Sequence, residues 1–171
     1  GTPIPSQRVV HDHGVVEIMR GCPQGCRFCS AGVYYRPYRM KDPKVIDAEI
    51  SYLVDVLGYR EITLSSLSSG DYRDIVGLFR YLNEKYGSRG VSFSLPSLRV
   101  NSLTLPVLAE ISRVRRSGLT FAVETPTEAG QLSINKLVPL ERTREVLAEA
   151  VARGWKLAKF YFMIGLPGEG R

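Results

Sequence analysis

The sequence predicts an α/β fold of parallel strands, arranged as a barrel or an open sheet. Three observations carry that expectation. Short apolar runs rich in Val, Ile and Phe alternate with longer segments of helical period. Each helical segment opens on a capping residue or Pro and closes on Gly. No Gly-x-Gly-x-x-Gly follows the first run, which counts against a dinucleotide-binding sheet.

The elements follow in order. Val15–Arg20 reads as the first strand. Asp42 and Pro43 open a helix that Gly58 closes, with Ile46, Ile50, Leu53, Val54 and Leu57 on one face. Glu61–Ser66 is the second strand. A helix follows from Asp71 to about Tyr86, with Ile75, Leu78, Phe79 and Leu82 in phase, and Gly87 ends it. Val91–Leu95 is the third strand. Thr104 caps the next helix, Pro106 sits in its first turn and Gly118 stops it. Leu119–Glu124 is the fourth strand. A helix runs from about Leu140 to Arg153, and Lys159–Ile164 is the fifth strand. Strands separated by helices of this length make βαβ units with right-handed crossovers.

Alternation along the strands sharpens the reading. Thr63 and Ser65, Ser92 and Ser94, Thr120, Ala122 and Glu124, and Lys159, Tyr161 and Met163 fall on one face; bulky apolar residues fall on the other. A filled barrel packs Val, Ile and Leu inward. Small hydroxyls with a Glu and a Lys instead point to a hydrated or ligand-filled cavity. A single solvated sheet face is the alternative, and parallel sheets seldom leave one bare.

Composition sets further bounds. The chain has 171 residues, with apolar residues at 44%, so a packed core is expected and disorder is not. It is shorter than the roughly 250 residues of a complete eight-fold β/α barrel. The reading is one domain over residues 1–171. No apolar run reaches the ~20 residues of a membrane span, and no signal peptide is visible. The chain starts at Gly1 rather than Met, as an excised fragment of a longer protein would.

Three cysteines, Cys22, Cys26 and Cys29, lie in one segment reading Gly-Cys-Pro-Gln-Gly-Cys-Arg-Phe-Cys-Ser. An odd count excludes a complete set of internal disulfides. Clustering favours a reducing compartment, hence the cytoplasm, and a metal or redox role. Zinc sites want four ligands, usually in two halves, and a fourth is missing nearby. Three thiolates can instead hold three irons of a 4Fe-4S cluster and leave one iron open for a substrate or cofactor. His11 and His13 precede the first strand and belong to its other end. Residues 1–41 supply +4 of the net charge of +6, so the basic excess surrounds the cysteines. Tyr34, Tyr35, Arg36, Tyr38 and Arg39 are either an aromatic and basic surface for nucleic acid or, as favoured here, a packed loop over the cysteines.

The CxxxCxxC spacing, with an aromatic before the third cysteine, resembles the radical S-adenosylmethionine (radical SAM) superfamily. Met-Arg-Gly-Cys-Pro-Gln-Gly-Cys-Arg-Phe-Cys, Tyr-Arg-Pro-Tyr-Arg, Leu-Ser-Ser-Gly-Asp-Tyr and Phe-Met-Ile-Gly-Leu-Pro-Gly-Glu are similar to one branch of it. That branch is related to the methylthiotransferases and often carries a cobalamin-binding-like domain ahead of this one. The resemblance implies a partial (β/α) TIM-like barrel of about five β/α units, truncated before the sixth strand. It implies an enzyme in which the open iron chelates SAM and one electron releases a 5′-deoxyadenosyl radical for hydrogen abstraction or group transfer.

The resemblance also implies roles at named positions. Cys22, Cys26 and Cys29 would bind the cluster. Phe28 would pack on the adenine. Ser68, Ser69, Gly70 and Asp71 stand where the family touches the SAM amino group, with Ser replacing a Gly and Asp a Glu. Glu124 matches the ribose-binding position. Lys159 stands where relatives place a basic residue near the SAM carboxylate, and Met163 and Gly165 line the adenine. The catalytic residues stay unassigned. The implied partners are an electron donor such as flavodoxin or ferredoxin, a substrate of unknown identity, RNA or protein among the options, and no membrane. Cobalamin on a domain outside this chain is a further option. An isolated fragment would be weakly active or inactive. The competing readings are an iron–sulfur electron carrier or sensor without SAM turnover, and a zinc-stabilised RNA-binding module. Arg99, after the third strand, divides evenly between surface and site.

Overall fold

The structure, a computed structural model, describes residues 12–96, 98–100, 104–111 and 119–169. Strand β1 (Gly14–Glu17) is followed by a two-residue strand β2 (Met19–Arg20). Helix α1 (Ala31–Tyr34) and β3 (Arg39–Met40) follow the cysteine loop. Then come α2 (Pro43–Ser51), β4 (Glu61–Ser65), α3 (Ile75–Tyr86), β5 (Ser92–Ser94), α4 (Thr104–Ile111), β6 (Leu119–Glu124), α5 (Glu128–Ser133), α6 (Leu140–Ala152) and β7 (Ala158–Phe162).

Apart from the short β2–β3 pair, the strands form parallel sheets, as the βα alternation requires. One sheet has the order β1-β4-β5, with Val16 opposite Leu64 and Ile62 opposite Phe93. The second pairs β6 with β7, Leu119 opposite Ala158, and its register shifts between Ala122 and Glu124. Among the described residues no ladder joins β5 to β6. The arrangement is a partial β/α barrel with its staves in two groups.

The core lies between the sheets and the helices. Ile46 and Ile50 of α2, Phe79 and Leu82 of α3, and Ile62, Leu64 and Phe93 of the strands are buried together. Truncating a side chain such as Phe79 there costs about 3–5 kcal/mol. The opposite strand face carries the small and polar residues. Thr63 and Ser94 share a 2.8 Å hydroxyl hydrogen bond across β4 and β5. With Thr120, Ala122 and Tyr161 they line a cavity of about 530 Å3. The inner face therefore does surround a cavity.

Several boundaries differ from expectation. The first strand breaks at Ile18, whose amide still bonds Ser65 O at 2.9 Å; beyond it the chain leaves the sheet and pairs antiparallel with β3. Gly21 makes this turn with φ +85°. A Cβ there would stand 2.7 Å from Tyr35 O and 2.8 Å from Tyr38 Cα, so only glycine fits. The second predicted helix starts at Ile75, not Asp71. Asp74 is its cap and accepts from the Gly77 amide at 3.0 Å, while Ser69–Asp71 form a separate 3-10 turn. Helix α2 is Pro-started and Asp42-capped as predicted, but ends in a π-helical turn over Tyr52–Val56. Helix α5 was not anticipated; Thr127 caps it through the Gly130 amide. The expected stop at Gly118 and His11 lie outside the described residues.

Candidate functional site

The cysteine loop is fixed at several points by residues far away in sequence. The Arg27 amide donates to Ile134 O at 2.9 Å, and its guanidinium to Ser133 O at 2.7 Å. Asn135 Nδ2 donates to Gly25 O at 2.8 Å. These three bonds dock the loop on the C-terminal end of α5. On the other side, Gln24 Nε2 donates to both Asp71 carboxylate oxygens at 2.9 and 2.8 Å. All three cysteines are free thiols; Cys22 and Cys26 are half-buried and Cys29 is exposed. Arg99 Nη1 lies 3.5 Å from Cys26 Sγ, so a guanidinium faces the thiol that would carry negative charge as a ligand.

The loop after β4 supplies a second wall. Ser68 donates to Asp71 at 2.6 Å, so one carboxylate orders both Gln24 and Ser68. Ser69 is fully buried and donates to Pro96 O at 2.7 Å, tying this turn to the end of β5.

The third wall is the end of β6. The register shift places Glu124 in the left-handed region, φ +70°, which is strained for a residue with a Cβ. A bulge of this kind re-aims a side chain at a strand end. The Glu124 carboxylate is buried and accepts from Lys136 Nζ at 2.7 Å. Both side chains are about a tenth exposed, 11% and 10%. The Met163 amide donates to Glu124 O at 2.7 Å, so the loop after β7 holds the strained residue in place. Lys136 also stands 5.8 Å from the Phe28 ring centroid, a cation–π contact to the cysteine loop.

These walls enclose a cavity of about 260 Å3 at the C-terminal ends of the strands. Cys22, Cys26, Cys29, Phe28, Ser68 and Glu124 line it. Ser69, Gly70 and Asp71 stand behind that lining. Met163 reaches it only through its bond to Glu124 O. The Gly165 amide turns instead to Glu169, 2.8 Å away. Lys159 is exposed and level with Thr120, four residues before Glu124, or about 13 Å back along the strand. The nearby strand carboxylates have other partners: Glu17 bonds Arg20 at 2.7 Å and Glu124 bonds Lys136.

Two polar lining residues were missed by sequence reasoning, Gln24 and Lys136. A signal for Lys136 existed: it is the only basic residue between Leu119 and Leu140. The lining shares Leu98, Phe121 and Ala122 with the larger cavity beneath, so the two spaces adjoin. Strand-end sites of this kind are where β/α barrels keep their chemistry.

Known proteins resemble this chain in sequence or in fold. An uncharacterised protein of Methanocaldococcus jannaschii is 33% identical over 158 residues, covering 91% of this chain and 33% of that protein. The tRNA-2-methylthio-N(6)-dimethylallyladenosine synthase of Phocaeicola vulgatus is 31% identical over 166 residues, covering 87% of this chain and 34% of the synthase. The chain thus spans about a third of the length of these relatives. Among solved structures, the radical SAM methyltransferase TsrM from Kitasatospora setae, with cobalamin and a [4Fe-4S] cluster bound, superposes with a TM-score of 0.75 at 12% identity, over 92% of this chain and 32% of that one. Residues 16–171 match the Radical SAM superfamily, and the chain belongs to it.

Proposed function

We propose that this chain is the cofactor-binding core of a radical SAM enzyme. Cys22, Cys26 and Cys29 would hold a 4Fe-4S cluster, and SAM would lie between the cysteine loop, Ser68 and Glu124. One observation carries the reading: three thiols from one loop, a buried carboxylate–ammonium pair and an ordered serine turn face a single cavity at the strand ends.

The donor set fits the group. Among the described residues no three His, Cys, Asp or Glu side chains converge as ligands of a single ion. A four-iron cluster makes no such demand, since each thiolate binds a different iron. With a cluster held by Cys22, Cys26 and Cys29 and SAM beside it, the bound cofactors would supply radical chemistry for hydrogen removal from a substrate.

The protein's own residues bind and orient. Glu124 offers carboxylate oxygens to the ribose hydroxyls, and Lys136 and the Met163 amide hold it there. Lys136 is the ammonium best placed for the SAM carboxylate, a role given to Lys159 by resemblance alone. Phe28 covers the adenine, with Met163 and the Gly165 loop closing from β7. Asp71 acts behind Gln24 and Ser68, with Ser69 and Gly70 fixing the turn. Arg99 offsets charge at Cys26.

The relatives support group transfer as the downstream reaction, and the synthases' names point to tRNA as one substrate class. The TsrM likeness supports cobalamin, which in this protein would be carried outside residues 1–171. A flavodoxin or ferredoxin would supply the electron, in a reducing compartment such as the cytoplasm. No helix among the described residues is long and apolar enough to cross a membrane.

Anaerobic reconstitution followed by assay for 5′-deoxyadenosine under dithionite tests the proposal. Wild type should form it and Cys26→Ala should not. Iron–sulfur protein indifferent to SAM would make the chain an electron carrier, and zinc without iron would make it a metal-stabilised module.

A further inference from the structure

Among the described residues one cation bonds a cysteine sulfur: Arg99 Nη1 donates to Cys26 Sγ at 3.5 Å, across 73 residues of sequence. Arg99 is half-buried and stands in the loop after β5, flanked by the buried residues Leu95 and Val100. Other cations near the cysteines are engaged elsewhere. Arg20 is paired with Glu17 and Lys41 with Glu49, and the Arg27 and Arg36 guanidiniums bond the carbonyls of Ser133 and Gly32.

The turn after β4 fixes the two sides of the N–H···S contact. Ser69 is fully buried; its hydroxyl donates to Pro96 O at 2.7 Å and lies 2.8 Å from the Ser66 hydroxyl. With its one proton given to Pro96, Ser69 accepts from Ser66. Two residues on, Asp71 accepts from Gln24 Nε2 at 2.9 and 2.8 Å, and Gln24 belongs to the cysteine loop. One turn therefore grips the loop of Cys26 through Asp71 and the loop of Arg99 through Ser69. Losing the Ser69 hydroxyl releases the Arg99 side and leaves the Asp71 side intact.

From this arrangement we infer that Arg99 sets the electron affinity of the cluster, and that Ser69 is the positioning residue that holds Arg99 at Cys26. The inference rests on the assignment of Cys22, Cys26 and Cys29 to a 4Fe-4S cluster. Hydrogen bonds to the sulfurs and the net charge around them tune the reduction potential of such clusters. Reduction adds one negative charge and breaks no bond. A guanidinium keeps its charge at every working pH. Its N–H···S contact strengthens as the sulfur gains negative charge, so it favours the reduced form and raises the potential.

The test uses the full-length protein with its cluster reconstituted anaerobically. A redox titration followed by electron paramagnetic resonance, without SAM and without turnover, reads the midpoint potential. Arg99→Gln should lower the reduction equilibrium constant about tenfold, a fall of about 59 mV for one electron. Arg99→Lys keeps the charge but loses the planar fork, and should lie between the two. Ser69→Ala should move the potential the same way by a smaller amount. Added to Arg99→Gln it should move the potential no further, because the two changes act through one contact. Arg39→Gln removes an exposed, screened charge on β3 and should change the equilibrium constant by less than about twofold.

A wild-type potential in Arg99→Gln would overturn the inference. An equal fall in Arg39→Gln would overturn it too, since net charge alone would then explain the effect. Weaker SAM binding in equilibrium dialysis, with the potential unmoved, would make Arg99 a SAM contact instead. Should Arg99→Gln fail to hold a cluster, Arg99→Lys and Ser69→Ala carry the same prediction, and unmoved potentials in both overturn it. A wild-type protein that takes up no cluster sinks the cysteine assignment, and shows this before any potential is read.

Discussion

Glu124 and Lys136 form a buried ion pair, 2.7 Å between Oε1 and Nζ, at the mouth of the cysteine-lined cavity. Glu124 stands there with φ +70°, a conformation that costs of order 1–3 kcal/mol. The surrounding bonds over-determine it: Lys136 holds the carboxylate and the Met163 amide holds the carbonyl. Strain of this sort clusters at functional sites, which supports the role proposed for Glu124.

Breaking the pair on one side should be costly. Lys136→Met leaves a buried carboxylate uncompensated and is expected to lower stability by about 3–5 kcal/mol. The double variant Glu124→Gln with Lys136→Met should recover most of that loss while still failing to bind SAM. Urea denaturation with equilibrium dialysis of SAM checks both. A double variant that binds SAM normally would remove this pair from the site.

Asp71 is expected to act through its neighbours. Asp71→Ala leaves the Gln24 amide and the Ser68 hydroxyl without their acceptor, about 1–3 kcal/mol of local order. Amide hydrogen exchange should speed up over residues 24–29 with little change in the buried strand β4. Asp71→Asn keeps one acceptor oxygen and should restore part of the protection. Uniform loss of protection across the fold would make Asp71 a global stability residue instead.

Gly21 should not tolerate a side chain. Gly21→Ala places a Cβ against Tyr35 O and Tyr38 Cα at φ +85°. The backbone term alone is about 1–2 kcal/mol. The midpoint of chemical denaturation should fall, and iron content after reconstitution should fall with it, because the turn leads directly into Cys22. Gly58→Ala, φ +78° with open space around it, isolates the backbone term and should leave iron content unchanged.

Acid stability should depend on Asp47. Partial burial pushes its carboxyl up, but hydrogen bonds from Lys85 at 2.6 Å and Tyr86 at 2.8 Å outweigh this and hold it below the usual aspartate range. A carboxyl depressed in the folded state adds stability above its unfolded pKa and loses it as pH falls through the folded one. Wild type should therefore lose this contribution below about pH 4, and Asp47→Asn should flatten that part of the stability curve. An unchanged slope in the variant would mean the pair contributes nothing.

Much of this architecture was legible in the sequence. Leu119–Glu124 was read with the same bounds the strand has, because its alternation is unbroken and flanked by turn residues. The cysteine segment could be picked out because spacing within one loop is local information. Lys136 was not. It reaches the cavity only because α5, six residues and too short to show a period, turns the chain back onto the loop after β6. The β2–β3 pairing escaped notice for the same reason, since two residues per strand leave no alternation to read. The start of α3 was placed at Asp71, but that carboxylate bonds Gln24 and Ser68, and it is Asp74 that reaches an amide of the helix, that of Gly77. Lys159 was given its role by resemblance; strand parity puts it on the inner face but says nothing of its height along the barrel.

In the proposed site, this cavity holds SAM against a cluster bound by Cys22, Cys26 and Cys29. Electron paramagnetic resonance of the anaerobically reconstituted, dithionite-reduced protein, recorded with and without SAM, tests it most directly. The reduced 4Fe-4S signal should shift on adding SAM and keep its unshifted form in Glu124→Gln with Lys136→Met. A wild-type signal that is identical with and without SAM would contradict it.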